Sequence, residues 1–411
     1  GGKGIQVVER AQDMHQLFNR IAAEARAAFG NGDLYLEKYV TSLRHIEVQL
    51  LRDAHGNTKV LGLRDCSVQR NNQKVIEESA STMLPDELKA QVMEFTKALA
   101  ESVDYTGAGT VEFIYDLDAN AVYFMEMNTR LQVEHPVTEA TSTIDIVSAQ
   151  FDVASGRNIE KLEPKEQGYA IELRITAEKA AMDAEGIMQL LPSPGKVTSW
   201  SMPEREDMEI IAMVEEGKEV SPYYDSLICQ LICRGNDRED VVNKLIDYLD
   251  QVVIKGISTN IPLLQRILKD DTFRKGVYDT TYLPKFMATI DHETMIAEME
   301  DAASGDQTDT ESLRVGDSNE LKVIAASAGI FYTAASPNDP DFVKEGDIVS
   351  VDTTLGLMEA MKMFTPVTLS TFNKKGAEQY PSDKQYRIER IMNTSGQQVS
   401  SGDLLFIVSP V

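Results

Sequence analysis

The sequence has few cysteines, and their positions fit no disulfide or metal pattern. Cys66, Cys229 and Cys233 are the three cysteines among 411 residues. Neither a disulfide framework nor a zinc site has this spacing. We therefore expect reduced thiols in a cytoplasmic compartment, either a bacterial cytosol or the matrix or stroma of an organelle.

Basic residues and long apolar runs are also scarce. The chain has 40 Lys and Arg against 66 Asp and Glu, a formal net charge of −26. A nucleic-acid surface needs clustered Lys and Arg, so this balance argues against a nucleic-acid partner and leaves open only a local basic pocket. No apolar run is long enough to span a bilayer. Apolar content of 42% and charged content of 26% over this length indicate a globular protein of two or three domains.

The start of the chain is rich in glycine and has no Met. Residues 1–4 read Gly-Gly-Lys-Gly, and Ile5, Val7 and Val8 follow. A glycine loop beside a strand can hold a phosphate through its backbone N–H groups, but a flexible tail has the same composition. Because the sequence begins inside such a loop, we expect an N-terminal portion of the natural chain to precede it.

Hydrophobic periodicity predicts an α+β arrangement over residues 1–288. We expect helices at 12–29, 86–103, 143–155, 238–251 and 261–269. We expect strands at 34–40, 45–51, 59–63, 111–115, 121–128, 170–176 and 227–233. Residues 64–74 are polar and are predicted to be a loop, which could hold an anion or could simply be solvated.

Polar and apolar residues alternate from Glu126 to Pro136. In a strand this period places alternate side chains on one face, so the pattern predicts a row of polar groups that begins with Glu126 and ends with Glu134. A solvated edge strand alternates in the same way. Glu112, on the preceding predicted strand, would face Glu126, and two neighbouring carboxylates repel unless a cation such as Mg²⁺ lies between them. Two separately solvated glutamates are the alternative.

The composition changes twice towards the C-terminus. Residues 289–319 are acidic and predict a short helix that runs into a linker. After residue 320, short apolar runs alternate with turns, which predicts a small all-β domain. Within it, residues 359–363 read Glu-Ala-Met-Lys-Met and place Lys362 at a hairpin tip. Composition alone favours an ordinary surface lysine.

The motifs together resemble a biotin carboxylase, an ATP-grasp enzyme, fused to a biotin carboxyl carrier domain. Residues 359–363 resemble the biotin attachment site, and the turn at 335–340 resembles the thumb of carriers of the acetyl-CoA carboxylase type. The motifs similar to biotin carboxylase are residues 64–70, 107–113, 126–138, 191–195 and 223–226. The resemblance implies a partial ATP-grasp lid subdomain at 1–39, an ATP-grasp and biotin carboxylase C-terminal domain at 40–288, an acidic linker at 289–319 and a flattened-barrel carrier at 320–411.

The resemblance also implies roles for individual residues. Mg²⁺ or Mn²⁺ on the ATP phosphates would be held by Glu112, Glu126 and Asn128. Bicarbonate would be held by Lys74, Arg130, Gln132 and the backbone of Val133. The catalytic residues would be Glu134 as the base, with Lys74, Arg130 and Arg174, the last of which would stabilise the biotin enolate. ATP would be bound by Gly1, Gly2, Glu37, Lys38, Tyr39, Val40, His45, Gln69, Glu112 and Glu126, and biotin would be attached to Lys362.

The sequence departs from this family in several places. The N-terminal nucleotide-side domain and its upstream lysines are not present, and the residues at Asn71 and Asn72 are Arg and His in bacterial biotin carboxylases. These two changes reduce the positive charge of the loop that would contact ATP. Extra sequence lies at 178–190 and at 371–388.

The resemblance implies ATP- and bicarbonate-dependent carboxylation of biotin, the first half-reaction of an acyl-CoA carboxylase. Acetyl-CoA is the favoured acceptor, which would feed malonyl-CoA and fatty acid synthesis. A propionyl- or longer acyl-CoA carboxylase and a carrier or scaffold subunit with a weakened ATP site are the alternatives. The expected partners are carboxyltransferase subunits, a biotin protein ligase and further copies of the chain.

Overall fold

The computed structural model describes residues 5–182, 186–303, 320–336, 339–370, 380–381 and 383–411. The helices are α1 (Met14–Phe29), α2 (Asp86–Ser102), α3 (His135–Ser142), α4 (Ile146–Ala154), α5 (Arg238–Leu249), α6 (Ile261–Lys269), α7 (Asp271–Arg274), α8 (Tyr282–Met287) and α9 (His292–Ala303). None of the helices in these ranges is long and apolar enough to cross a membrane.

Most strands before residue 256 belong to one large sheet. The strands are β1 (Leu43–Arg52), β2 (Thr58–Arg70), β3 (Gln73–Glu78), β4 (Gly107–Asp116), β5 (Ala121–Asn128), β6 (Tyr169–Thr176), β7 (Glu178–Met182), β8 (Met188–Pro192), β9 (Gly195–Lys196), β10 (Ser199–Ser201), β11 (Met208–Ala212), β12 (Glu219–Val220), β13 (Leu227–Gly235) and β14 (Val253–Lys255). Eight of them form an antiparallel sheet in the order β11-β13-β6-β3-β2-β1-β4-β5.

Strand β1, which lies between β2 and β4, shows why this sheet has one apolar and one polar face. Ile46, Val48 and Leu50 are fully buried in a cluster that includes Val92 of α2. Successive side chains of a strand point to opposite faces, so the residues between them, among them Glu47, lie on the other face. Glu47 is also fully buried. A buried carboxylate needs partners on that face, and the partners come from neighbouring strands.

Three predictions about residues 34–136 were wrong. Residues 34–40 form no strand, because no strand among the described residues pairs with them. Residues 64–74 are not a loop: β2 continues to Arg70, and β3 begins at Gln73. The alternating stretch leaves the sheet after Asn128, and α3, which the sequence did not predict, begins at His135. Pro136 lies in the first turn of α3, where a missing N–H costs no helical hydrogen bond.

The turn between β2 and β3 explains the unusual pair Asn71 and Asn72. Their φ angles are 51° and 60°, which is the left-handed region. Asn tolerates this region better than most residues, and a two-residue hairpin loop needs it at both central positions. The two asparagines therefore suit the backbone of this turn.

The remaining predicted elements agree more closely with the structure. Helix α6 has the predicted bounds, α2 and α5 differ by one or two residues, and α4 begins three residues later than predicted. The hairpin of β4 and β5 and the strands β6 and β13 are confirmed. The acidic stretch begins with α9, as predicted, and residues 304–319 lie outside the described residues.

The all-β prediction for the C-terminal part is confirmed. Its strands are β15 (Leu321–Ile324), β16 (Gly329–Tyr332), β17 (Ile348–Val349), β18 (Gly356–Ala360), β19 (Met363–Val367), β20 (Tyr386–Ile391), β21 (Gln397–Val399) and β22 (Leu404–Pro410). They form two four-stranded sheets, β15-β22-β20-β17 and β19-β18-β16-β21, around an apolar cluster of their own. Parts of the thumb-like turn and of the extra sequence, residues 337–338, 183–185, 371–379 and 382, lie outside the described residues.

Candidate functional site

A row of charged side chains crosses the polar face of the large sheet. The register places Glu47 of β1 opposite Arg64 of β2 on one side and Glu112 of β4 on the other. Glu112 in turn lies directly opposite Glu126 of β5. Four neighbouring strands therefore contribute one charged residue each to a continuous line, with Arg64 at one end and Glu126 at the other.

Glu112 and its neighbours form the end of this row near β5. Its carboxylate accepts hydrogen bonds from His45 Nε2 at 2.8 Å, Asn128 Nδ2 at 2.6 Å and Gln132 Nε2 at 3.0 Å. Gln69 donates to Nδ1 of the same histidine at 2.7 Å, so Nε2 carries the proton given to Glu112. Burial would raise the pKa of Glu112, but the hydrogen bond from His45 and the charge of Lys74 outweigh it and lower this pKa.

This end of the row fits a hard divalent cation. Mg²⁺ and similar ions take oxygen ligands, and Glu112, Glu126 and the amide oxygen of Asn128 supply them. Among the described residues, no Lys, Arg or His lies within ion-pair distance of Glu126, although it stands opposite another carboxylate. A cation would offset that repulsion. The carboxylate oxygens of Glu112 and Glu47 and a ring nitrogen of His45 also lie within 4.8 Å of one another.

The ammonium group of Lys74 lies between two buried carboxylates. It contacts Glu47 and lies 2.5 Å from Oε1 of Glu134. Burial would lower the pKa of Lys74, and the negative groups around it raise this pKa instead. Burial would likewise raise the pKa of Glu47, but Lys74 and Arg64 lower it to about 2. The lysine is therefore a fixed positive charge at the centre of the site.

Arg174 of β6 completes the surroundings of Glu134. Its Nη2 lies 2.9 Å from Oε2 of Glu134, and its Nε lies 2.6 Å from Oε1 of Glu77. Glu134 is only 1% exposed and precedes the first residue of α3. One carboxylate thus meets an ammonium group on one oxygen and a guanidinium group on the other. The sequence pattern predicted that Glu134 lies in a strand. In the structure it comes directly before α3, and this position directs its side chain towards Lys74 and Arg174 of the sheet.

The loop between β5 and α3 brings the other predicted bicarbonate residues to the same place. Arg130 Nη1 donates to Oε1 of Gln132 at 3.0 Å, and Gln132 reaches Glu112. Gln230 of β13 donates to the carbonyl oxygen of Val133 at 2.8 Å. The Arg130 side chain is exposed, so it borders the site on the solvent side.

The predicted ATP residues before β1 lie apart from this row. Lys38 pairs with Asp116 at 3.0 Å and lies over the Tyr123 ring, while Val40 is buried and Glu37 is exposed. Gly1 and Gly2 lie outside the described residues. His45 and Gln69 are the two predicted ATP residues that contact each other beside Glu112.

Sequence reasoning missed five residues that hold the site together, namely Glu47, Arg64, Glu77, Glu172 and Gln230. Each is buried on the polar face of the sheet. A usable signal was present for Glu47, Glu172 and Gln230, since each is a polar residue inside a predicted strand. Arg64 lies in the stretch predicted as a loop, and Glu77 lies in no predicted element. A charged residue at such a position is buried only with a partner, and the partner lies on another strand.

Lys362 lies at the tip of the β18–β19 hairpin, as predicted. Met361 and Lys362 form its two-residue loop, with φ angles of 50° and 62°. The Lys362 side chain is 68% exposed, and its Nζ lies 3.7 Å from Asp225. Met361 is 2% exposed because it packs into the apolar cluster of the preceding part of the chain, and its N–H donates to the carbonyl oxygen of Pro222 at 2.5 Å. The hairpin is therefore docked beside the loop at residues 222–226.

Comparison with known proteins agrees with this geometry. Residues 1–162 match the family model described as carbamoyl-phosphate synthase L chain, ATP binding domain, and residues 172–285 match the biotin carboxylase C-terminal domain. Biotin carboxylase 1 of Bacillus subtilis is 41% identical over 288 residues, 70% of this chain and 63% of that protein. The mitochondrial propionyl-CoA carboxylase alpha chain of Caenorhabditis briggsae is 40% identical over 69% of this chain and 38% of its own length.

A solved structure supports the same assignment. The biotin carboxylase domain dimer of Hydrogenobacter thermophilus 2-oxoglutarate carboxylase, in complex with MgADP, ADP and bicarbonate, matches with a TM-score of 0.63 and 39% identity. The match covers 69% of this chain and 62% of that one. The chain spans less than two thirds of the length of these relatives. The chain is therefore similar to biotin carboxylases over residues 1–162, which match the ATP-binding domain, and over residues 172–285, which match the C-terminal domain.

Proposed function

We propose that this chain uses ATP and bicarbonate to carboxylate biotin attached to Lys362. The observation that carries the proposal is the setting of Glu134. Its two carboxylate oxygens meet Lys74 and Arg174, and the carboxylate row of Glu112 and Glu126 lies on the same face of the sheet. A base beside two fixed cations, next to a cation-binding row, suits the reaction of two anions.

The charges on the chain account for the first step. Bicarbonate and the terminal phosphate of ATP repel each other, and Lys74 and Arg130 supply positive charge on the bicarbonate side. Glu134 accepts the hydroxyl proton of bicarbonate, a bicarbonate oxygen bonds to the γ-phosphorus, and the bond to ADP breaks. The metal held by Glu112, Glu126 and Asn128 would offset the phosphate charge when bound.

The second step needs biotin at the same site. The carboxyphosphate made in the first step breaks into CO₂ and phosphate, and the phosphate takes the N–H proton of biotin. The negative charge then lies on the ureido oxygen, where the guanidinium of Arg174 can stabilise it, until the biotin nitrogen bonds to the carbon of CO₂. The docked hairpin supports Lys362 as the carrier, because it already rests on the carboxylase half of the chain through Met361. We propose residues 40–288 as the carboxylase part, 289–319 as the linker and 320–411 as the carrier.

The carboxyl acceptor lies on another subunit in this proposal. We favour acetyl-CoA because the turn around residues 335–340 resembles the thumb of carriers of that type. Propionyl-CoA is the second candidate, because a propionyl-CoA carboxylase alpha chain is among the relatives. The expected partners are a carboxyltransferase subunit, a biotin protein ligase and a second copy of this chain, since the solved relative from Hydrogenobacter is a dimer.

The test is bicarbonate-dependent ATP hydrolysis by the full-length protein, stimulated by free biotin. We expect Glu134→Gln to abolish biotin carboxylation while nucleotide binding persists, and Glu163→Gln, an exposed glutamate, to leave both unchanged. Near-normal turnover of the Glu134→Gln variant would contradict the assignment of the base. No activity of the wild type at any Mg²⁺ concentration would leave the carrier or scaffold role as the better proposal.

The carrier role is tested separately by streptavidin blotting. We expect Lys362→Arg to lose the signal and Lys344→Arg, a change at an exposed lysine of the same part of the chain, to keep it. A signal that persists in the Lys362→Arg variant would place the biotin elsewhere.

A further inference from the structure

Two carboxyl groups lie side by side behind Arg174. Glu77 of β3 and Glu172 of β6 are directly opposite each other in the antiparallel register. Both side chains are fully buried. One oxygen of each, Oε2 in both cases, has no hydrogen-bond partner. Two buried unpartnered oxygens on facing residues are costly unless something joins them.

The other oxygen of each carboxyl group is well satisfied. Oε1 of Glu77 accepts a hydrogen bond from Nε of Arg174 at 2.6 Å and lies 2.5 Å from Nη2 of the same guanidinium group. Oε1 of Glu172 accepts from Gln230 Nε2 at 2.8 Å. The guanidinium group thus neutralises Glu77, whereas Glu172 has only a neutral amide. A proton on Glu172 would donate to Glu77 and satisfy both remaining oxygens at once.

We propose that Glu77 and Glu172 share a proton, and that this pair positions Arg174 against the base Glu134. Glu172 holds the proton, and the ionised Glu77 holds the guanidinium. The proposal rests on the proposed function for its catalytic meaning. Neither glutamate reaches the substrate in this arrangement, so both are positioning residues that act through Arg174.

The charged surroundings support this distribution. Burial raises the pKa of Glu77 to about 7 against the opposing charge of Arg174, and Glu134 adds to the rise. Burial and the charge of Glu77 raise the pKa of Glu172 well above its usual range. The titratable groups that face the pair are Lys74, Glu134, Arg174 and the thiol of Cys229. Two neighbouring carboxyl groups in a dry site cannot both ionise easily, so the pair titrates as a unit.

The arrangement predicts how acid affects Arg174. Above about pH 7 Glu77 is ionised and anchors the guanidinium, which then extends Nη2 to Glu134. Below that pH Glu77 gains a proton and the ion pair to Arg174 is lost. The biotin-dependent rate should therefore fall on the acid side with a midpoint set by the pair.

Infrared spectroscopy of the full chain tests the shared proton without requiring activity. A protonated carboxyl group has a C=O band separate from the bands of carboxylates. We expect the wild type at pH 8 to show such a band. Glu172→Gln should lose the part of its intensity that comes from one carboxyl group. The control Glu209→Gln, a change at an exposed residue of the same sheet, should keep the full intensity. Absence of the band in the wild type, or its persistence in both Glu172→Gln and Glu77→Gln, would overturn the proposal.

The pH profile of biotin-dependent ATP hydrolysis tests the positioning role. In Glu172→Gln an amide, which is a weaker donor than a carboxyl group, faces the ionised Glu77. Glu77 then takes up a proton more easily, so the acid midpoint should move up by about one pH unit. Glu77→Gln should abolish this acid midpoint. It should also reduce the rate of ATP hydrolysis with biotin by about tenfold, as expected for one lost charged contact, while the rate without biotin changes less. Unchanged midpoints in both variants would refute the positioning role. A wild type that shows the band but no activity would refute the proposed function and leave the shared proton established.

Discussion

Replacement of Lys74 by methionine removes the positive charge at the centre of the site with little change in the length of the side chain. The ammonium group contacts Glu47, which is fully buried, and Glu134, which is 1% exposed. After the change Glu47 keeps Arg64, whose Nη2 lies 3.1 Å away. Glu134 keeps Arg174. The fold should therefore lose stability without collapsing.

The pKa of Glu47 sets the size of this loss. It is about 2 in the fold against an ordinary value of 4.5, because Lys74 and then Arg64 outweigh the effect of burial. One pKa step is about 1.4 kcal/mol, so the ionised carboxylate contributes about 3 kcal/mol at neutral pH. A lowered carboxyl pKa stabilises the fold above the unfolded value and loses this effect as the pH falls through the folded value. At pH 3 about 1 kcal/mol of the contribution remains.

We expect Lys74→Met to lower the free energy of unfolding by about 2 to 3 kcal/mol at pH 7.5, and by about 1 kcal/mol at pH 3. Urea denaturation at several pH values measures this difference. Lys97→Met is the matched control, since Lys97 is 56% exposed and 3.9 Å from Glu101, and an exposed pair of this kind contributes little. A loss that does not shrink towards pH 3 would refute the reasoning, because it would then not come from the carboxylate charge.

Three further results are expected. Met361→Ala should raise the hydrogen-exchange rate of the hairpin amide bonded to Pro222 by about tenfold to a hundredfold, as expected from the lost burial of one methionine. The control Met363→Ala should leave this rate unchanged. Equal exchange rates in both variants would show that Met361 does not anchor the hairpin. Glu126→Gln should raise the Mg²⁺ concentration needed for half-maximal ATP hydrolysis. The variant should keep its stability, because the Glu126 side chain is exposed. An unchanged Mg²⁺ requirement would show that Glu126 is not a metal ligand. A thiol reagent at pH 8 should modify the chain only after denaturation, since burial raises the pKa of the thiols of Cys66, Cys229 and Cys233. Fast reaction of the folded chain would contradict this expectation.

Local pattern was sufficient where a segment is stabilised mainly by its own periodicity. Helix α6 was predicted with its bounds because its apolar residues repeat at helical spacing and Pro262 lies in its first turn. The hairpin of β4 and β5 could likewise be predicted, since a short turn joins its two strands, but the pairing of Glu112 with Glu126 also depends on a bulge between Glu112 and Phe113 that shifts the register by one residue. The position of Lys362 at a hairpin tip followed from the same local rule.

Local pattern failed where the partner of a segment is distant in sequence. Residues 34–40 have strand composition but no strand beside them, and residues 64–70 have loop composition but become β2 because their polar side chains find partners across the sheet. Arg64 shows the reason, since it bonds to Glu47 and Gln49 of β1 and to Thr138 of α3. A buried guanidinium is stable only when such acceptors surround it, and no short window of sequence contains them.

The sequence by itself determined the family resemblance, the candidate residues and the division into an α+β part and an all-β part. Motif spacing and hydrophobic period are local properties of the chain, so they can be read without coordinates. Only the tertiary structure decided that Glu134 comes directly before a helix and lies between Lys74 and Arg174, and that Glu77 and Glu172 face each other behind it. These relations join strands up to about a hundred residues apart, and the register of a sheet, which no local pattern encodes, sets which charges meet.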